Sequence, residues 1–236
     1  MQATLIDHMG TDLTVCNSAR VSFNKESDWV YLPGCEEANT DDEWVLSNQD
    51  TKLINYLAKH NHWTPFSHPM ITMRETVPIF VARERFRHTV GFTYNEVSRR
   101  YVDDAPEFYV PGVWRSRPEG SVKQGSGSER VLEIAFDDGI SQSIKDAYED
   151  LITFCKQTYN AMIANGVAPE QARMLLPQSA YTSYYVTGSL AAWARAYKLR
   201  SDHHAQMEIQ ELAKQWEAII RPLFPVSWGA LTRVDN

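Results

Sequence analysis

From Ile140 to Ala164 the side chains Ile140, Ile144, Ala147, Leu151, Phe154, Thr158 and Met162 recur at intervals of three and four, and the run closes on Asn165-Gly166. That period marks one face of an α-helix, and Asn-Gly is a common helix stop. The spacing predicts the longest helix in the chain and assigns it to the core as scaffold.

Shorter signals surround it. Leu53, Ile54 and Leu57 share a face in "NQDTKLINYLAKH", with Asn48 or Asp50 as the expected N-cap. "MITMRETV" alternates as a strand does, and Pro78 sits where a first helical turn accepts proline before "IFVARERFRH". A short helix is expected between Pro169 and Pro177, with Arg173 about one turn before its end. Ser189 is a candidate cap for "LAAWARAYKLR", and Ile209, Leu212, Trp216 and Ile219 or Ile220 line a further helix, leaving Arg200 at the junction of the two. The polar stretch from about 111 to 130, with "KQGSGSE" inside it, reads as a mobile loop. Strand signals precede it and helix signals follow it. The expectation is one α/β (α+β) domain over residues 1–236, with a mostly antiparallel sheet and long helices.

Charge narrows the function. The net charge of −7 disfavours general nucleic-acid binding, because an acidic surface repels a polyanion unless a local patch overrides it. A basic, then apolar, N-terminal pattern is lacking and no run of about 18 apolar residues occurs, so a soluble, cytoplasmic protein with no membrane partner is expected. Cys16, Cys35 and Cys155 are far apart and lack an adjacent histidine or arginine, which suggests neither a disulfide framework nor an activated thiol. There is also no GxGxxG and no GxxxxGK[ST].

Against that acidic background, Arg83, Arg85, Arg87, Arg99 and Arg100 crowd into 18 residues. Guanidinium groups suit bidentate binding of phosphate or carboxylate. Arg83 and Arg85, with Glu84 between them, read as a solvated helix face. Arg87, Arg99 and Arg100 flank "TYNEVS", whose amide, carboxylate and hydroxyl groups suit a sugar phosphate. His60, His62 and His68, or His204 with Glu208 on one helix, raise a metal site. Without HExxH, and with Pro65 breaking the spacing, no metal is expected.

The stretch "FRHTVGFTYNEVSRRY" resembles the signature of the flavin-dependent thymidylate synthases, RHR followed after seven residues by serine. Further matches are "ARVSF", "HWTPFSH", "VPIFVARERFRH", "ARMLLP" and "LRSDHHAQMEI", in order along most of the chain. The resemblance implies reductive methylation of dUMP to dTMP in a homotetramer with sites between subunits. FAD would be the cofactor, with NADPH and 5,10-methylenetetrahydrofolate as co-substrates. It implies dUMP contacts from Glu84, Arg87, Glu96, Ser98, Arg99, Arg100, Arg173 and Arg200, the last also catalytic as a guanidinium facing the uracil edge. For FAD it implies Ser22, His62, Thr64, Arg87, His88, Thr89, Asn95, Glu96, Ser189, Arg195 and Leu199.

Several positions depart from the family pattern. Thr89 replaces the second arginine of RHR, and one extra residue must be absorbed between Thr89 and Asn95. Ser189 and Ala191 occupy an N-x-R site, Arg195 stands where asparagine is usual, and Glu84 where glutamine is common. A related flavin enzyme that hydroxymethylates dUMP, or a non-catalytic nucleotide-binding module, remains an alternative at this point.

Overall fold

The computed structural model describes residues 1–33, 43–102, 104–118 and 125–233. Strand β1 (Gln2–Met9) and helix α1 (Asp12–Arg20) lead to an antiparallel pair, β2 (Val30–Leu32) and β3 (Glu43–Val45). Then come α2 (Asn48–Lys59), β4 (Met70–Pro78), α3 (Ile79–Arg85) and β5 (Phe92–Glu96). A second small ribbon, β6 (Glu133–Ala135) with β7 (Ser141–Ser143), precedes α4 (Ile144–Ala164) and the one-turn α5 (Pro169–Ala172). The described chain finishes with β8 (Tyr181–Ser189), α6 (Leu190–Arg200), α7 (Met207–Leu223) and α8 (Pro225–Thr232).

Four of these strands form the central antiparallel sheet, in the order β1-β4-β8-β5. β4 and β8 pair along their whole length, from Met70 opposite Ser189 to Pro78 opposite Tyr181. Alternation decides which face is buried. Ile71, Met73, Glu75 and Val77 of β4, with Thr182, Tyr184 and Val186 of β8, point into the core, where α6, α7 and α8 contribute Trp193, Trp216 and Trp228. The opposite face is polar: Thr72 meets Thr187 at 2.9 Å, and Arg74 Nε donates to Ser183 Oγ at 2.9 Å.

The structure corrects the division into strands first and helices later, because β8 from the C-terminal half lies in the middle of the sheet. Its buried positions include Thr182 and Gly188 and its outward ones include Tyr185, which hides the apolar alternation of "YTSYYVTGS". It also corrects the role of the longest helix. α4 begins at Ile144 rather than Ile140, with Ser143 as cap, and Tyr159 is its one buried side chain; Leu151 and Phe154 are 54% and 66% exposed. Periodicity identifies an apolar face but not what covers it. At α2 the cap is Ser47, whose hydroxyl accepts from Asp50 N at 3.1 Å, instead of Asn48 or Asp50. α3 ends at Arg85, earlier than "IFVARERFRH" suggests.

The polar stretch is anchored where it is described. Ser116 N donates to Glu129 O at 2.9 Å, and Arg115 grips Glu208 of α7 at 2.8 and 2.9 Å. Among the described residues no helix is long and apolar enough to cross a membrane.

Candidate active site

Pro78 closes β4 and caps α3, with φ −66° serving both elements. Past Arg85 the chain turns through Arg87 and His88 and then makes a tight turn in which Phe92 N donates to Thr89 O at 3.3 Å. Gly91 has φ +78° there, and a Cβ on it would lie 2.9 Å from Ala192 Cβ, so only glycine fits without strain. From Phe92 to Glu96, β5 pairs with β8 without a register shift. The extra residue of the signature is therefore taken up before Phe92, in this turn.

α6 starts at the same place. Its cap Ser189 accepts from Ala192 N at 3.3 Å, and the hydroxyl is thereby committed to the helix start. Ser189 N donates to Gly91 O at 3.2 Å and Leu190 N to Pro69 O at 3.0 Å, so the turn after His88 and the segment following His62 and Thr64 flank the start of α6. One turn before the end of α6, Arg195 donates to Val90 O. At its end, Arg200 Nε donates to His88 Nε2 at 2.8 Å and Nη1 pairs with Glu84. Residues 84, 88 and 200 thus form one cluster, although 112 positions separate the histidine from the arginine.

The chemistry of that cluster is consistent with its charges. His88 is 7% exposed, and burial first, then the charges of Arg200, Arg85 and Arg195, push its pKa down to about 4. A neutral imidazole can accept at Nε2, which is what Arg200 requires. Arg200 is in turn fixed in direction by two acceptors.

The second cluster lies at the far end of β5, a strand roughly 13 Å long at the usual rise per residue. Glu96 accepts from Thr182 Oγ1 at 2.6 Å and Arg100 Nε donates to Ser98 Oγ at 3.1 Å. Arg99 Nη1 reaches Asp104 O at 2.6 Å, and Arg173 Nε reaches Glu170 O at 3.3 Å. Glu96, Ser98, Arg99, Arg100 and Arg173 line one cavity of about 340 Å³. Three guanidinium groups against one carboxylate give it the chemistry that suits an anion.

The remaining candidates lie around these clusters. Arg87 is exposed, and among the described residues its side chain makes no hydrogen bond or ion pair. Thr89, Asn95 and Leu199 are exposed too. Ser22 lies in a short 3-10 turn after α1, while His62 and Thr64 are exposed between α2 and β4. His62 stands 6.1 Å from the ring of Tyr56. Among the described residues no hydrogen bond or ion pair joins Ser22, His62 or Thr64 directly to Arg87 or His88.

His204 and Glu208 do not share a helix face. α7 starts at Met207, His204 Nδ1 bonds Asp202 at 3.0 Å, and Glu208 is held by Arg115 and Gln206. Cys16 is fully buried, and burial, reinforced by Asp50, pushes its thiol up to about 12, which rules it out as a thiolate nucleophile. Cys155 is partly buried, and Cys35 falls outside the described residues.

Sequence reasoning missed one group. Arg83 is exposed as expected, but Arg85 is fully buried, paired with Glu75 at 3.3 Å and ringed by Phe92, Trp193 and Trp216 at 4.4, 4.8 and 4.8 Å. The available signal was Glu75, a carboxylate at an inward position of an alternating strand.

The chain matches the family model described as thymidylate synthase complementing protein over residues 4–226. The flavin-dependent thymidylate synthase of Thermotoga neapolitana is 34% identical over 229 residues, 97% of this chain and 89% of that protein. The enzyme of that name from Wolbachia pipientis wMel is 33% identical over 226 residues, covering 96% and 72%. Among solved structures, the UMP/dUMP methylase PolB from Streptomyces cacaoi bound with 5-Br dUMP superposes with a TM-score of 0.74 at 28% identity, covering 98% of this chain and 94% of that one. Its complex with 5-Br UMP gives 0.78 at 26% identity.

Proposed function

The chain belongs to the thymidylate synthase complementing protein family, the flavin-dependent thymidylate synthases, and we propose that it methylates dUMP to dTMP. 5,10-Methylenetetrahydrofolate is the carbon donor in this reading and NADPH the reductant. The observation that carries it is the Arg200 cluster, oriented by His88 and Glu84 and lying one strand from the arginine-lined cavity.

In the cavity, Ser98, Arg99, Arg100 and Arg173 bind the nucleotide phosphate, with Glu96 orienting the sugar. Arg200 faces the N3 and O4 edge of uracil. No activated thiol adds to the ring in this reading, so the ring itself acts as nucleophile. A guanidinium already aimed at the developing negative charge lowers that barrier, because its orientation is set before the reaction begins. His88, neutral, holds Arg200 without competing for its charge. Glu84 supplies the opposite charge and must share Arg200 with the bound ring.

The donor set around the start of α6 suits FAD. Arg87 and Arg195 offer cations to a diphosphate, and His62, Thr64, His88, Thr89 and Asn95 offer rings, hydroxyls and an amide. Ser22, Glu96 and Leu199 complete the proposed contacts. Ser189 fits less well, since its hydroxyl already caps α6. When bound, FAD supplies the hydride that completes the methyl group. The uncovered apolar face of α4, at Leu151 and Phe154, supports self-association, which we assign to a homotetramer. A stable flavin-loaded monomer in sedimentation would overturn that assignment.

Product analysis tests the activity. Purified protein with dUMP, 5,10-methylenetetrahydrofolate and NADPH should yield dTMP, with UMP run in parallel. A 5-hydroxymethyl product would reassign the chemistry to a related flavin enzyme. Absence of the visible flavin band together with absence of product would leave a nucleotide-binding module.

A further inference from the structure

Arg85 and Glu75 form a fully buried ion pair, and Tyr184 OH donates to Glu75 at 2.6 Å. A buried pair is a poor source of stability, since apolar residues of similar volume do as well or better. Among the described residues the Arg85 Nη2 atom is buried without a hydrogen-bond partner, which makes the site costlier still. The pair does, however, reach the active site. Arg85 Nη1 donates to Tyr94 OH at 2.5 Å, Tyr94 OH donates to the carbonyl of His88 at 2.7 Å, and the His88 ring accepts from Arg200 Nε at 2.8 Å.

We infer that Arg85 is a positioning residue for the reaction: through the Tyr94 hydroxyl it fixes the His88 backbone, and through His88 the direction of Arg200. This rests on the role proposed above for Arg200. The geometry is one continuous line from a core cation to the group facing the substrate, and it crosses α3, β5 and α6. Each contact between residues is a directional hydrogen bond and the His88 carbonyl and ring are joined covalently, so a shift at Arg85 is passed on as a change of angle at Arg200. Charge acts along the same line. The charges of Arg200 and Arg195 from α6 and of Arg85 from α3 act on His88, and Glu84 at the end of α3 is bound to the same Arg200. Tyr94, which approaches from β5, has its hydroxyl pushed up to about 12, chiefly by burial, and stays protonated as the link requires. Arg85 is one of the three cations that keep His88 neutral.

Two kinds of variant separate positioning from mere support. Tyr94→Phe removes one hydroxyl and leaves the ring. It should lower kcat for dTMP formation about tenfold, the worth of one hydrogen bond in a charged network, while KM for dUMP stays within about twofold for protein selected as folded and flavin-loaded. A purely structural role would lower the melting temperature and leave kcat of that protein unchanged, which would overturn the inference. The paired change Glu75→Gln with Arg85→Met removes the charge without stranding its partner. In it the His88 imidazole, followed by NMR titration, should move up from about 4 towards its ordinary value, because one depressing charge is gone. Arg85→Lys keeps the charge but not the fork, so it should leave that titration in place and reproduce the kcat loss of Tyr94→Phe. An unmoved His88 titration in the paired variant also counts against the inference. If that protein does not fold, Tyr94→Phe decides. Should the wild type make no dTMP, the proposed function fails by itself, and the titration still tests the Arg85 to His88 link.

Discussion

The two basic regions of this molecule are built in opposite ways. At the junction of α3 and α6, Arg200 has fixed partners, its neighbour His88 is buried, and a core cation stands behind them. In the cavity beyond β5, Arg99, Arg100 and Arg173 hold partners close by in sequence: Arg100 the Ser98 hydroxyl and the Tyr101 ring, Arg99 the carbonyl and carboxylate of Asp104, and Arg173 the carbonyl of Glu170 in its own turn. Charge that is oriented in advance costs no reorganisation during reaction, so it belongs where charge develops. Charge that adjusts to its ligand serves binding, which is equally strong before and during the reaction.

The sharpest way to break this contrast is Arg200→Lys. It keeps the charge and loses the planar fork, and it should lower kcat by on the order of a hundredfold or more, with NADPH oxidation persisting. Normal turnover at saturating dUMP would make Arg200 a binding group like the others.

A second measurement probes the buried side through pH. The folded-state pKa of His88 is about 4, depressed from 6.5, so between those values the unfolded chain takes up a proton that the folded one refuses. Stability should therefore be full above pH 6.5 and fall as pH drops towards 4, by on the order of 3 kcal/mol from this group. His88→Gln, which retains an acceptor for Arg200, should flatten that part of the profile in denaturant unfolding. An equally steep profile in the variant would assign the loss to other groups.

Arg100→Ala tests the adjustable side. KM for dUMP should rise roughly tenfold, as loss of a hydrogen bond to a charged group implies, with most of kcat recovered at saturation. A kcat loss comparable to that of Arg200→Lys would erase the distinction between the regions.

The smallest effect is expected at Thr89, exposed on the turn that carries the extra residue. Thr89→Arg adds one exposed cation near the proposed flavin diphosphate and should tighten FAD retention only about two- to fivefold, the value of an exposed ion pair. A larger gain would show that the turn already presents position 89 to the cofactor.

Much of this was legible beforehand. The motif around His88 marked out the candidate site, and alternation in "MITMRETV" and periodicity in α6 and α7 gave the elements that carry it. Ser189 was legible as a cap because capping is a local hydrogen bond. β8 was not legible, since threonine and glycine occupy its inward positions and only pairing with β4 buries them. Arg85 was misread for a related reason: beside Arg83 and Glu84 it has the pattern of an exposed helix, and its partners Glu75 and Tyr94 come from two strands, β4 and β5.

What the sequence determined by itself is whatever depends on near neighbours: strand alternation, helix faces, caps, and the residue types gathered between Arg87 and Tyr101. Tertiary structure alone decided that Arg200 meets His88, that Arg85 lies in the core, and that the apolar face of α4 is turned outward within this chain. The reason is physical. Periodicity records which side chains share a face, whereas burial, partner choice and the pKa of His88 depend on groups brought from distant parts of the chain, and these interactions exist only once the sheet order β1-β4-β8-β5 has formed.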